Sequence, residues 1–529
     1  MNAHNDTSLS LAQPHDLRLS AKVGLGMVGI GLLLITAAWL GAKLPAAPGL
    51  LAASLILLTA GTAIHARGLY LHLPEGIKNN GVWLRAISNK GAIAWLIGIV
   101  LTGFYVLLYW FPQYLGLGSK DVPSSGLVGF FDPLSQLLNG NPASQWFVYG
   151  TLYTVAILAM GYKFILKYRH NRYQVVRTIS VMFFQTGFAF LIPELLERLN
   201  SGKPYFDKDI KNMWPLNYDF FFDWHLGNLL KGGNFGLFML VFGVAMIFLI
   251  SPILTYFYGK RWYCSWVCGC GGLAETAGDP FRHLSDKSLN AWKIERWLIH
   301  SVLVFVTLMT VAVIYSYLAQ NDGKLWLSKD AFTWGTAAFF LVTGGLVFAF
   351  RKRFEGLKDQ TAWLVGGVSV IIGGILLINT FSDAKHILFL HSYDLRKVYG
   401  FLIGAAFSGV VGVGFYPLMG GRVWCRFGCP MAAILGLQQK FFSRFRITTN
   451  GGQCISCGNC STYCEMGIDV RAYAQRGQNV VRASCVGCGI CAAVCPRGVL
   501  KLENGSTDLS ARTDETRTIR IGKEGVSLG

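Results

Sequence analysis

Charge is scarce in this sequence. Only 14% of its 529 residues are Asp, Glu, Lys or Arg, where a soluble globular chain carries about 25%. The deficit excludes a disordered chain, a coiled coil and an ordinary soluble enzyme. Acids are the scarcer sign: 28 Asp and Glu stand against 47 Lys and Arg, a formal net charge of +19. Signatures of hydrolysis or group transfer are missing as well, with no nucleophile–base constellation, phosphate loop or paired catalytic carboxylates. Nor are cysteines spread as an even set through a small domain, as in a secreted disulfide scaffold. They number 13, and eight crowd between Cys454 and Cys495, a distribution that points to metal ligation. What abounds is apolar: 53% of residues are hydrophobic and mean hydropathy is +0.42. That is the balance of a multi-spanning membrane protein. In such a chain a cationic excess belongs to cytoplasmic loops rather than to nucleic-acid binding.

About 20 apolar residues cross a bilayer as a helix. Ten such runs are present: 23–44, 46–64, 91–111, 146–162, 179–192, 235–258, 297–319, 331–350, 362–381 and 398–419. The fifth is short and ends at Pro193 and Glu194. No signal-peptide cleavage pattern precedes the first run, which is long enough to span. The segments after runs two, four, six and eight are basic, with Arg67 and Arg85, Lys167 and Arg172, Lys260 and Arg261, Arg351 and Lys352 among them. The positive-inside rule then puts both termini in the cytoplasm and favours ten spans. Residues 259–269 (Gly-Lys-Arg-Trp-Tyr-Cys-Ser-Trp-Val-Cys-Gly) align with residues 420–430 (Gly-Gly-Arg-Val-Trp-Cys-Arg-Phe-Gly-Cys-Pro). Each copy follows a run directed inward, and four runs separate them, so both copies emerge on one membrane face.

The expected fold is an α-helical integral membrane protein with a C-terminal α+β ferredoxin domain of the bacterial 2[4Fe–4S] type. Its divisions are a cytoplasmic tail (1–22), a transmembrane hairpin (23–90), a first four-helix block (91–296), a second (297–447), the double-cluster domain (448–504) and a polar, loosely held tail (505–529). Residues 438–447 are amphipathic and basic, suiting a surface segment near the headgroups.

The strongest chemical signal is Cys454-x2-Cys457-x2-Cys460-x3-Cys464, then Cys485-x2-Cys488-x2-Cys491-x3-Cys495-Pro496. Three closely spaced thiolates reach three irons of one cubane, and the fourth ligates the other cluster. One [4Fe–4S] cluster is therefore expected on Cys454, Cys457, Cys460 and Cys495, and the other on Cys464, Cys485, Cys488 and Cys491. Zinc is the alternative, but it usually takes two Cys-x2-Cys pairs. Pro496 fixes φ after its cysteine; Glu465 stands in the matching place of the first motif and is expected to leave that loop less rigid. Arg471, Arg476 and Arg482 would favour the reduced clusters by Coulomb attraction, or are solvated surface charges. The second signal is the repeated Cys-x3-Cys. On a helix, i and i+4 share a face, so Cys264, Cys268, Cys425 and Cys429 are a candidate four-thiolate redox or metal site, against the alternatives of buried thiols or a dithiol pair. Cys270 breaks the symmetry, and Gly269 replaces Pro430.

Weaker features were weighed against bland readings. Gly24-x-Gly26-x-x-Gly29 lies within a spanning run, so it reads as a helix-packing surface. His386 and His391, with His225 and Asp223, fall in outward loops and are either a quinol or copper site or interfacial hydrogen-bonders. His65 and His300 offer no facing pair for haem. Glu194 and Glu197 are candidate proton acceptors or interfacial acids. Phe220, Phe221, Phe222 and Trp224 read as an interfacial aromatic belt.

Two Cys-x3-Cys elements after spanning helices, followed by a double-cubane domain, resemble the membrane-bound polyferredoxins of the NosR/NapH type and the copper-oxidase assembly proteins of the CcoG type. The specific motifs cover about residues 235–502. The resemblance implies a multi-pass protein of the bacterial inner membrane that moves electrons between a quinone pool or periplasmic partner and cytoplasmic clusters. Its partners would be membrane lipid and redox proteins, such as a quinol-linked dehydrogenase or a periplasmic reductase, with no nucleic acid. Two other functions stay open: a copper-handling reductase and a redox-responsive regulator. Conduction is favoured because eight ligands for two clusters make a chain, whereas a sensor needs one centre.

Overall fold

The computed structural model describes residues 17–42, 47–71, 91–119, 121–199, 210–321, 327–351, 360–382, 391–504, 519–522 and 525–528. The chain is mostly helical. Among the described residues, eight helices are long and apolar enough to cross a membrane. They are α1 (Leu19–Trp39), α2 (Ala47–Tyr70), α3 (Ala92–Trp110), α4 (Gln145–Lys167), α5 (Arg172–Leu199), α6 (Gly233–Tyr258), α7 (Leu289–Gln320) and α8 (Lys329–Ala349). In α9 (Gln360–Ser382) the apolar stretch is shorter, Gly366–Ile378. The last apolar run is a π-helix, Gly400–Val411, entered through Ser392–Tyr399. Large apolar side chains such as Ile99, Phe248 and Phe339 point outward. A continuous belt of this kind needs lipid, not water, around it.

The fifth run is longer than its apolar count implies. A π-turn at Gly187–Leu191 shifts the hydrogen-bond register just before Pro193, which has no N–H to give, and the helix continues to Leu199. In the N-terminal hairpin, Gly24 packs so tightly on α2 that a Cβ there would lie 2.4 Å from the His65 nitrogen. Gly26 and Gly29 meet nothing within 4 Å, so only the first glycine of that pattern is a packing residue.

A further expectation is corrected. Phe220 and Phe222 are buried, and of the four aromatics only Trp224 is fully exposed. The chain from 210 to 222 folds back into the bundle. Asn212 accepts from the Tyr263 hydroxyl at 3.0 Å, Trp214 donates to Thr310 Oγ1 at 2.9 Å, and Phe220 lies against Gly243. The segment 438–447 is exposed on one side only, at Phe442 and Arg444. It ends α10 (Pro430–Phe442) and enters the C-terminal domain, and Gln439 and Ile447 are buried.

That domain is closed by β1 (Arg446–Thr449) pairing antiparallel with β2 (Leu500–Glu503), Ile447 opposite Leu502. Part of the tail expected to be loosely held pairs as a hairpin of β3 (Ile519–Gly522) and β4 (Gly525–Leu528). One apolar core runs from the helix ends into the domain. Cys264, Cys268, Cys425 and Cys429 share it with Cys460, Cys485 and Cys491.

Candidate functional site

The two repeat copies have the same local shape. Gly259 (φ +66°) and Gly420 (φ +96°) turn the chain in a region that only glycine enters cheaply. One helical turn follows and carries the first cysteine, Cys264 or Cys425. The second cysteine then has extended backbone and caps the next helix: Cys268 caps Gly269–Thr276, and Cys429 caps α10. The expected single helix is therefore broken between the cysteines. Pro430 enforces the break, since it is favoured at a first helical position and cannot continue a helix. Gly269 stands in its place in the first copy, where a Cβ would lie 2.4 Å from Gln185 Oε1 and require that side chain to shift. Sulfur at a helix start accepts backbone N–H bonds, as Cys429 Sγ does from Ala432 at 3.4 Å.

All four repeat thiols are buried in one core, with Cys270 packed against it. Burial pushes the Cys264 thiol up to about 12. Cys268 is drawn down to about 6, first by the Cys270 thiol donating to it, which together with the Gly271 N–H and Lys211 overcomes burial. In the C-terminal domain the eight cysteines surround two cavities in the crossed pattern. Cys454, Cys457, Cys460 and Cys495 line one of about 370 Å³. Cys464, Cys485, Cys488 and Cys491 line the other, of about 380 Å³. Burial holds Cys460 and Cys464 up at about 11, so filling these sites with metal releases protons.

The donor sets fit cubanes better than single ions. Among the described residues, no three thiols lie within 4.8 Å of one another; the group that does is Glu275, Glu465 and Cys488. A tetrahedral zinc with Zn–S near 2.3 Å would hold its sulfurs about 3.8 Å apart. Glu275 and Glu465 are also committed to arginines.

Those arginines form a buried charge network that sequence reasoning missed. Glu465 accepts from Arg422 Nε at 2.5 Å and forms an ion pair with Arg282, Nη1 to Oε2 at 2.9 Å. Glu275 pairs with Arg177, Arg422 and Arg282. Asp279 pairs with Lys167 at 2.5 Å and Arg282 at 2.8 Å. All are nearly inaccessible to solvent. Burial pushes the Glu275 carboxyl up, but the three arginines together outweigh it and hold it at about 2. The expectation that Glu465 loosens its loop is thus overturned: the carboxylate ties the loop to Arg422 of the second repeat copy and to Arg282 downstream of the first. Arg422 also donates to the Cys264 carbonyl at 3.2 Å and touches Cys425 Sγ at 3.8 Å. It stands between the repeat thiols and the cavity of Cys488.

Around that cavity side chains of the first repeat copy, α10 and α5 capture backbone carbonyls one by one. Lys260 Nζ donates to Ala483 O at 2.6 Å, Gln439 to Cys485 O at 2.8 Å and Ser265 to Val486 O at 2.8 Å. Tyr173 donates to Gly487 O at 3.0 Å and Gln174 to Cys488 O at 2.8 Å. Of the three arginines singled out in the sequence, Arg471 lines the other cavity, Arg482 stacks on Trp292, and Arg476 is exposed.

A further cavity, of about 610 Å³, opens beside the repeat thiols. The refolded segment gives it Lys211, Asn212, Trp214 and Phe220, and α6 gives Met239, Phe242 and Met246. Helix α6 has only 6% of its apolar window buried, so this wall adjoins lipid. His225 lines the cavity and is 94% buried; burial lowers its pKa. The other weighed residues lie elsewhere. Asp223 pairs with Arg396 at 2.6 Å, Glu194 accepts from Asn139, and Glu197 accepts from Asn141. His65 and His300 bond to the carbonyls of Ala21 and Arg296. His386 is outside the described residues.

The comparisons agree with this layout. The 4Fe-4S dicluster domain model matches residues 453–500. A 4Fe-4S binding domain model matches twice, at 240–288 and 401–448, on the two repeat copies. The Escherichia coli (strain K12) protein "Putative electron transport protein YccM" is 23% identical over 238 residues, 44% of this chain. The chain spans 48% of that relative, about half its length. No solved structure matches. The 4Fe-4S models thus fall on the C-terminal cysteine domain and on both repeat copies of a chain that has, among the described residues, eight helices long and apolar enough to cross a membrane.

Proposed function

We propose that the chain conducts electrons between a lipid-soluble quinol and the cytoplasmic side of the bacterial inner membrane. In this reading ten helices span, as two four-helix blocks and an N-terminal hairpin, with both termini inside. One [4Fe–4S] cluster sits on Cys454, Cys457, Cys460 and Cys495, and one on Cys464, Cys485, Cys488 and Cys491. Cys264, Cys268, Cys425 and Cys429 hold a third redox centre. When bound, such clusters supply one-electron ferric/ferrous chemistry. The observation that carries the proposal is the continuous core joining the repeat thiols to both cysteine sets.

The protein's own part is placement and electrostatics. Arg422 bridges the repeat thiols and the docked cavity. Lys211 and His225 face a cavity beside Cys268 that suits an aromatic headgroup with two oxygens, with an apolar wall on α6 for its tail. Oxidation of a hydroquinone to the quinone releases two electrons and two protons. His225, kept neutral by burial, accepts one proton and water the other, while the two electrons would pass one at a time to the centres held by the cysteines. The test is stopped-flow reduction of the cluster-loaded protein in nanodiscs by a short-chain quinol. Met246→Trp, which fills the cavity, should slow quinol reduction at least tenfold while dithionite reduction is unchanged. Equal rates with quinol would remove the cavity from the route.

A further inference from the structure

The C-terminal domain is internally two-fold, and one of its two ends is already a docking surface. Ser456 (φ +59°) matches Gly487 (+63°), Gly458 (+80°) matches Gly489 (+75°), and Gly467 (+65°) matches Gly498 (+63°). Loops 454–458 and 485–489 therefore share one conformation. In the second, Val486 is 1% exposed and the carbonyls of residues 485–488 are held by side chains of α5, α10 and the first repeat copy. In the first, Ile455 is 57% exposed and Cys457 is the exposed cysteine among the 13. Ser456 keeps a left-handed backbone that strains any residue with a Cβ, and Gln475 Nε2 holds its hydroxyl at 2.7 Å. The loop is kept in a docking shape with nothing of this chain's described residues docked on it.

Its rim is cationic. Arg471 and Arg497 line the same cavity as the four cysteines, and Arg476 and Lys501 are exposed on the neighbouring helix end and strand. None of the domain's three acids lines that cavity, although Asp469 shares Ser461 Oγ with the Arg471 N–H. Glu465 is buried in the arginine network, Asp469 accepts from Ser461 Oγ at 2.6 Å, and Glu503 sits opposite Arg446 at the far end of β2.

We infer that the Ile455–Cys457 loop and its Arg471/Arg497 rim are the docking face for a small acidic protein electron carrier. The inference rests on reading Cys454, Cys457, Cys460 and Cys495 as a cluster site. An apolar tip ringed by cations is complemented by an apolar patch ringed by carboxylates, and such pairing acts mainly on the association rate. Anionic lipid headgroups would meet the same cations, so vesicles form one arm of the test.

The full-length, cluster-loaded protein in nanodiscs is reduced, desalted, and mixed with an oxidised acidic plant-type ferredoxin or, separately, with basic cytochrome c. Arg471→Glu with Arg497→Glu should slow transfer to the ferredoxin about tenfold or more at low salt. Transfer to cytochrome c should not slow, and iron, sulfide and EPR signals should stay unchanged. High salt should remove most of the difference. If the reversal variant fails to load, Arg471→Gln with Arg497→Gln should give a smaller loss of the same sign. Lys293→Glu, exposed on α7, should change neither rate. Equal ferredoxin rates in wild type and variant, or an equal loss from Lys293→Glu, would overturn the inference. So would phosphatidylglycerol vesicles binding through these arginines while the ferredoxin rate stays put. Full iron in Cys457→Ser would instead refute the ligand reading beneath it.

Discussion

Replacing Glu465 by glutamine should loosen the dicluster domain from the membrane helices while leaving its iron in place. The network counts four cations (Lys167, Arg177, Arg282 and Arg422) against three acids (Glu275, Asp279 and Glu465). Removing one acid raises its net charge from +1 to +2 where water does not reach. Breaking a buried pair by deleting one partner costs about 3–5 kcal/mol. The glutamine oxygen keeps one acceptor for Arg422 or Arg282, which favours the lower end. About 3 kcal/mol corresponds to roughly a 10²-fold rise in the open population. Hydrogen exchange of backbone amides in 448–504, measured in nanodiscs, reads that change directly. Glu465→Pro is the companion variant. It restores the Cys-Pro pattern of the second motif, so a view based on loop stiffness expects protection to rise; the network requires it to fall. Exchange within a factor of about two of wild type in both variants would refute the reasoning.

The two cysteine sets should respond differently to single substitutions. Cys457→Ser should remove one cluster and leave the domain docked; Cys488→Ser should remove the other and undock it, since its loop carries the captured carbonyls. Iron analysis beside exchange of the 485–489 loop checks this, and equal exchange in the two variants would contradict it. Stability should also depend on Glu275. Its pKa falls from an ordinary 4.5 to about 2 on folding, so its stabilisation is present above pH 4.5 and is lost as pH drops from there toward 2. Glu275→Gln should flatten that part of the stability–pH curve; an unchanged slope would show that the arginines do not hold it.

Much of this was legible in the sequence because its signals are periodic or fixed in spacing. Apolar runs mark helices, and the two Cys-x2-Cys-x2-Cys-x3-Cys runs anticipate the crossed sets that line the two cavities. The repeat marked both Cys-x3-Cys elements, although the helix break between their cysteines needed Pro430 and Gly269 to be read as a start rather than a substitution. The charge network was not legible. Its members lie up to 298 positions apart, from Lys167 to Glu465, and buried arginines look like loop charges in a hydropathy profile. One clue was present: Arg261 and Arg422 hold equivalent repeat positions, and both reach the domain, Arg261 to Asn504 Oδ1 at 2.8 Å and Arg422 to Glu465. The refolding of 210–222 had no local signal, because aromatics at a membrane face and aromatics packed in a cavity wall have the same composition.

The central claim is that iron–sulfur sites run unbroken from the membrane helices to the exposed loop of the domain. Anaerobic iron and acid-labile sulfide quantification, with low-temperature EPR of the dithionite-reduced protein, tests it most directly. The account predicts eight irons assigned to the dicluster domain, retained in Cys264→Ser and Cys425→Ser, plus further iron that both variants lose. A colourless protein, stoichiometric zinc, or a wild-type iron content that those two variants leave unchanged would contradict it.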